Sequence, residues 1–280
     1  MAEINAALVA KLRGMTGAGM MECKKALGEA KGDLSKAVDV LRKAGAVTAG
    51  KISAREAREG LIAQYIAPDG RVGVLVEVNC QTDFVARNDM FRAFADDVAR
   101  KLAANPKANL EPEREAAVAK IRENIKIPRY SRMEVAGNGM VAAYIHTGAK
   151  VGVLVEVGAG KESTVANDEF KQLVKDITLQ IAAVHPYVVS REQVPADVLA
   201  KEKEIAADQF KNKPPQAIAK IVEGKLEKFF QSYCLVDQGF VKKNSEISVK
   251  EHVASVAKQL GDEVTIRRFV RFQIGETPAA

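Results

Sequence analysis

Residues 60–104 return, without a gap, as residues 139–183. The offset is 79 residues, and 17 of the 45 aligned positions are identical. The run Val-Gly-Val-Leu-Val-Glu-Val stands unchanged at 72–78 and 151–157, and Asn88-Asp89 with Phe91 returns as Asn167-Asp168 with Phe170. A match this long in one register means that one structural unit is built twice. Within each copy, two runs rich in β-branched residues (61–66 and 72–78, then the same runs 79 later) flank a turn signal, Pro68-Asp69-Gly70 or Thr147-Gly148. That pattern predicts a hairpin. A loop follows, and then helices over 89–104 and 168–183, where Phe91, Phe94, Val98 and Leu102 share one face. Each copy therefore reads as ββα, a small sheet covered by a helix, and the fold class as α+β.

Four further segments surround or join the copies. Before it, Ile4, Leu8 and Leu12 recur at helical spacing until Thr16, Gly17 and Gly19 interrupt them. Met20, Cys23 and Leu27 predict a second helix over 20–30; Asp33 is placed to cap a third, which carries Leu34, Val38 and Leu41 and stops at Gly45. Three short helices of this kind make a compact module of ubiquitin-associated-domain size, joined to the repeat by a polar linker over 51–59. A charged helix over 113–125 connects the two copies. After the second copy, charged helical stretches at 195–211 and 214–230 meet at Lys213-Pro214-Pro215, where the chain turns back as an antiparallel helical hairpin. A helix over 249–260 and a β-run over 265–274 close the chain, and the alternation of that run suits it to join the second copy's sheet. The expected division is 1–52 for the three-helix module and 53–138 for the first core subdomain. The second core subdomain is 139–186 with 231–280, and the hairpin insertion is 187–230.

Charge and chemistry narrow the function. Residues 1–55 hold ten Lys or Arg against five Asp or Glu, a balance of +5 within a total of +6. A basic module attracts RNA, an acidic protein surface or a ribosome-associated partner. No aromatic-rich or arginine-rich tract supports direct nucleic-acid readout. No 18-residue apolar run exists, so no membrane span is expected, and Glu3 with no apolar stretch behind it does not read as a secretory signal. Three separated cysteines (Cys23, Cys80, Cys234) and three scattered histidines (His146, His185, His252) form no disulfide framework or metal spacing and suit a reducing cytoplasm. The one phosphate-loop candidate, Gly158 to Lys161, fails: the motif needs GxxxxGK followed by Ser or Thr, and here Val155 and Glu162 take those places. No enzyme site, metal or cofactor is expected.

The copies diverge most between 79–87 and 158–166. The second copy has small polar residues there, whereas the first has Asp83 beside Phe84. Two readings stand. Thr82 or Asp83 caps a short helix and Phe84 plugs the core, or the pair is a wedge presented to a partner.

Three stretches identify a family. LRGMTGAGMMECKKAL at 12–27, EVNCQTDFVAR at 77–87 and, more weakly, RFVRF at 268–272 resemble bacterial translation elongation factor Ts. The resemblance runs over nearly the whole chain. It implies a ubiquitin-associated-like N-terminal module, two related core subdomains and an inserted coiled-coil hairpin. It also implies guanine-nucleotide exchange on GDP-bound elongation factor Tu. In that mechanism Thr82, Asp83, Phe84 and Val85 disturb the GTPase's magnesium site. Arg13, Thr16, Gly17, Gly19 and Met20 grip the GTPase domain, and His146 touches it from the second hairpin. Some members continue into another helix where this chain has six residues after Ile274, so that helix's contact has no counterpart in the resemblance. A different class, a basic RNA- or ribosome-binding translation protein without exchange activity, is the competing reading. The residues leave the oligomeric state open, since the hairpin would serve dimerisation as well as partner contact.

Overall fold

The computed structural model describes residues 4–210 and 212–276. Residues 1–3, Lys211 and 277–280, which the expected boundaries include, lie outside the described residues. The chain divides into two compact units. One comprises residues 1–63, 76–130 and 274–280, and the other 64–75 and 131–273.

The N-terminal helices are α1 (Ala6–Thr16), α2 (Met20–Glu29) and α3 (Leu34–Ile52). Asn5 caps α1 by accepting from Leu8 N, and Gly17 ends it in the left-handed region at φ 68. A glycine adopts that angle without the clash a Cβ would bring. Val9, Leu12, Cys23, Ala26, Leu27 and Ala37 form the small core of the three helices. The third helix does not stop at Gly45. It continues to Ile52, into the stretch expected to be a linker. Gly45 serves close packing instead, because a Cβ added there would lie 3.4 Å from Ala119 Cβ.

The repeat follows as β1 (Glu59–Ile66), β2 (Val72–Cys80), α4 (Asp83–Ala86), α5 (Asp89–Ala104), α6 (Glu111–Ile121) and β3 (Lys126–Glu134). The second copy is β4 (Gly139–Ile145), β5 (Val151–Ala159), α7 (Glu162–Ala166) and α8 (Asp168–Val184). After the hairpin helices α9 (Ala196–Asp208) and α10 (Pro215–Tyr233), it resumes with α11 (Val249–Leu260) and β6 (Val264–Gln273). The sheets are ordered β1-β2-β3 and β4-β5-β6. As expected, the terminal strand pairs antiparallel with β5, Leu154 facing Val270 and Val153 facing Arg271.

Each copy is thus larger than ββα: two strands, a short helix, two longer helices and a third strand. The connecting helix, expected over 113–125, ends at Ile121 because Arg122 turns left-handed at φ 67. The residues after it lead into β3, a strand the sequence reading missed. β3 has Pro128 inside it and only Met133 buried. Proline is tolerated there because β3 lies at a sheet edge.

The symmetry reaches single side chains. Asn88 and Asn167 cap α5 and α8 by accepting from Met90 N and Glu169 N. Glu77 and its counterpart Glu156 are both buried. Arg129 donates to Glu77 at 2.7 Å, while Arg267 and Arg268 donate to Glu156 at 3.0 and 2.7 Å. In each copy an arginine from the third strand thus neutralises the acid on the central strand, as a buried charge requires. The second copy's core gathers Val153, Val155, Val157, Phe170, Ile177 and Phe240.

Candidate functional site

The short helix α4 presents the divergent loop of the first copy. Thr82 is its N-cap and accepts from Val85 N at 3.3 Å. Asp83 sits in the first turn, where a carboxylate suits the positive end of the helix, and pairs with Arg87 at 3.0 Å. A carboxylate from beyond α6 holds the loop from below. Glu123 accepts from Gln81 N at 2.9 Å, from Thr82 N at 3.0 Å and from the Thr82 hydroxyl at 2.6 Å. Cys80 Sγ donates to Thr82 O at 3.2 Å. The capping half of the first loop reading is therefore present, but the core-plug half is not. Ala86 faces inward at 7% exposure, and Phe84 is 81% exposed. Val85 is half-buried.

The second copy has a similar scaffold without the aromatic, although its N-cap, Lys161, supplies no side-chain cap. Asp262 accepts from Lys161 N at 2.9 Å and from the Thr164 hydroxyl at 2.6 Å. Those bonds, the Thr164 bond foremost, hold its carboxyl below the ordinary carboxylate range. The residue aligned with Phe84 is Ser163. This small polar loop, too, folds as a short helix, α7.

The turn between α1 and α2 is also ordered from within. Thr16 donates to Leu12 O at 2.7 Å and accepts from Ala18 N at 3.3 Å. Glu22 accepts from Gly19 N at 3.1 Å, and its other oxygen is paired with Arg122. The Arg122 bond is the main cause that lowers the Glu22 pKa, against the raising effect of burial. Arg13, Gly17 and Gly19 are exposed, Met20 is 60% exposed, and Met15 and Met21 stand out beside them. This is an apolar patch of flexible side chains on a basic module, a surface type suited to a partner.

The exposed His146 lies just past the end of β4, and Tyr144 Oη stands 3.0 Å from its Nδ1. Among the described residues, no cluster of His, Cys, Asp or Glu could hold a metal ion, and no helix is long and apolar enough to cross a membrane.

A sequence model described as elongation factor TS matches residues 81–276. The elongation factor Ts of Symbiobacterium thermophilum is 46% identical over 285 residues, covering 99% of this chain and 93% of that protein. That of Nostoc punctiforme is 44% identical, covering 99% and 94%, and that of Chloroherpeton thalassium 42%, covering 99% and 100%. The chain belongs to the elongation factor Ts family. It is a translation elongation factor, and its role is nucleotide exchange on elongation factor Tu.

Within this family member, the sequence reading missed the residues beneath the loop. Glu123 is 41 residues from Thr82 in the chain, so no local spacing links them. The only signal was the repeat itself: each copy has an acid shortly before its third strand, Glu123 or Asp262.

Proposed function

We propose that Thr82, Asp83, Phe84 and Val85 enter the magnesium site of GDP-bound elongation factor Tu and expel the nucleotide's counter-ion. The observation that carries this reading is the exposure of Phe84 on a loop whose backbone is held by Glu123. Burying a phenylalanine on a partner yields about 1.5–3 kcal/mol. That free energy is available to displace groups on the GTPase, because the loop needs no refolding first. Magnesium demands near-ideal octahedral oxygen geometry, so moving its ligands slightly weakens its hold. GDP then leaves without the cation that balanced its phosphates.

Arg13, Thr16, Gly17, Gly19 and Met20 grip the GTPase domain, and His146 adds a contact from the second hairpin. The three N-terminal helices act as a ubiquitin-associated-like docking module, and α9 with α10 forms the coiled-coil insertion. The working division is 1–52, 53–138, 139–186 with 231–280, and 187–230. The protein works in the cytoplasm, carries no cofactor and makes or breaks no covalent bond.

Exchange factors obey reciprocity. If this protein loosens GDP, GDP loosens this protein by the same factor. Adding GDP and magnesium to the preformed complex with elongation factor Tu should release the GTPase, as read by light scattering or gel filtration. A complex indifferent to both, held instead by RNA and dissolved by salt, would replace exchange with the RNA-binding reading.

A further inference from the structure

Three consecutive residues between α6 and β3 reach three separate parts of the first unit. Arg122 donates to Glu22 in the N-terminal helices. Glu123 holds Gln81 and Thr82 at the foot of the Phe84 loop. Asn124 is buried; it donates from its side chain to Ser53 O and Arg55 O at 3.1 and 2.6 Å and from its backbone to Gln81 Oε1 at 3.0 Å. Two residues earlier, Lys120 lies along the α1–α2 turn, where a Cβ on Gly17 would stand 3.3 Å from its Cε.

The repeat supplies an internal control for Arg122. Helix α11 ends at Gly261, left-handed at φ 59, and Asp262 follows as the loop clamp. Helix α6 ends at Arg122, left-handed at φ 67, and Glu123 follows as the loop clamp. Glycine adopts this conformation without strain and a side chain does not. The first copy accepts the strain at the position where the second copy has glycine. Arg122 therefore contributes what glycine lacks, a guanidinium that reaches Glu22. The pair is half-exposed, and a pair of that kind adds little stability.

We infer that Arg122 and Glu123 are positioning residues that fix the N-terminal docking turn and the Phe84 loop at one spacing, so that a GTPase engages both at once. The inference rests on the exchange reading. Arg122 acts through Glu22 on the docking turn, and Glu123 acts through Thr82 on the loop. Two linked contacts at a fixed spacing bind more tightly than the same contacts moving independently, because the second forms at high effective concentration.

The test uses the full-length chain and stopped-flow release of a fluorescent GDP from elongation factor Tu, at increasing exchange-factor concentration. Arg122→Gly, which installs the second copy's residue, should raise the half-saturating concentration about tenfold, less than the roughly 10²–10⁴-fold of a fully lost linkage because the docking turn stays attached and only its spacing loosens. Its maximal rate should be unchanged and its melting temperature no lower. Arg122→Lys keeps the charge and should stay near the parent. Glu123→Ala, like Arg122→Gly, should raise the half-saturating concentration and in addition lower the maximal rate, because the loop loses its own clamp; an unchanged half-saturation for it would count against the inference. An unchanged half-saturation for Arg122→Gly, a marked drop in its melting temperature, or equal failure of Arg122→Lys would overturn the inference. Failure of the unsubstituted chain to speed GDP release would instead overturn the exchange reading.

Discussion

Loops 79–87 and 158–166 hold the same place in two copies of one unit, and their scaffolds match closely. Each carries a short helix, each is clamped by an acid that precedes the third strand, and each leads into an asparagine-capped helix. Their sequences differ at all nine aligned positions, and the largest change at an exposed one is Phe84 in the first against Ser163 in the second. What the copies share is what the unit needs in order to fold. What only the first copy has is not required by the fold and is free to serve a partner. The second copy thus separates scaffold from payload within a single chain.

The strongest way to break this comparison is to measure stability at aligned positions. Phe91 and Phe170 correspond, and both are fully buried. Truncating either to alanine should cost about 3–5 kcal/mol in urea unfolding. Phe84→Ala should cost less than about 1 kcal/mol, since the side chain leaves no cavity when removed. If Phe84→Ala destabilises as much as Phe91→Ala, the aromatic belongs to the core and the payload reading of the loop is lost.

Activity sharpens the same contrast. Phe84→Ala should slow stimulated GDP release about 30-fold, equivalent to about 2 kcal/mol and typical of an interface hot spot. Ser163→Ala should leave the rate within twofold of the parent. A rate that survives Phe84→Ala would move the functional contact elsewhere in the molecule.

Much of this architecture could be read from the sequence where the information is local. The helix 89–104 and the strands of both hairpins follow from periodicity and turn residues, and the structure places them within a residue or two of expectation. β3 escaped because its inward positions before Met133 are only half-buried and are filled partly by Arg129 and Ser131, with Pro128 in the same run, so the burial alternation has no clear apolar counterpart in the sequence. α4 and α7 are four and five residues long, too short to show a helical period. The direction of Phe84 was undecided for the same reason. Whether it faces in or out depends on Thr82 and Glu123, and the latter contact joins residues 41 apart. Glycine was misread once. Gly45 breaks a pattern in sequence but in space admits the close approach of Ala119.

The smallest expected effect distinguishes the copies by pH. The chain's histidines are His146, His185 and His252, so the first copy has none. His252 on α11 stacks on Phe240, with ring centroids 4.2 Å apart and planes at 14°. Burial against that ring lowers its pKa; Asp176 pulls the other way, and Lys243 and Lys242 add to the lowering. The unfolded chain takes up this proton near pH 6.5, earlier than the folded chain does. The neutral ring's contribution is therefore complete above about pH 6.5 and declines as pH falls through that value toward the folded pKa. The carboxylates with lowered pKa, Glu22 and Asp262 among them, lose their contributions only in a separate window below about pH 4.5. Between pH 7 and 5.5, amide protection in α8 and α11, corrected for the slower intrinsic exchange at lower pH, should thus fall while that of α5 holds. His252→Phe should flatten that dependence, because phenylalanine keeps the stack and has no proton to gain. An equal loss of protection in α5 would mean that the two copies unfold as one cooperative body, and the contrast drawn from their loops would then not extend to their stability.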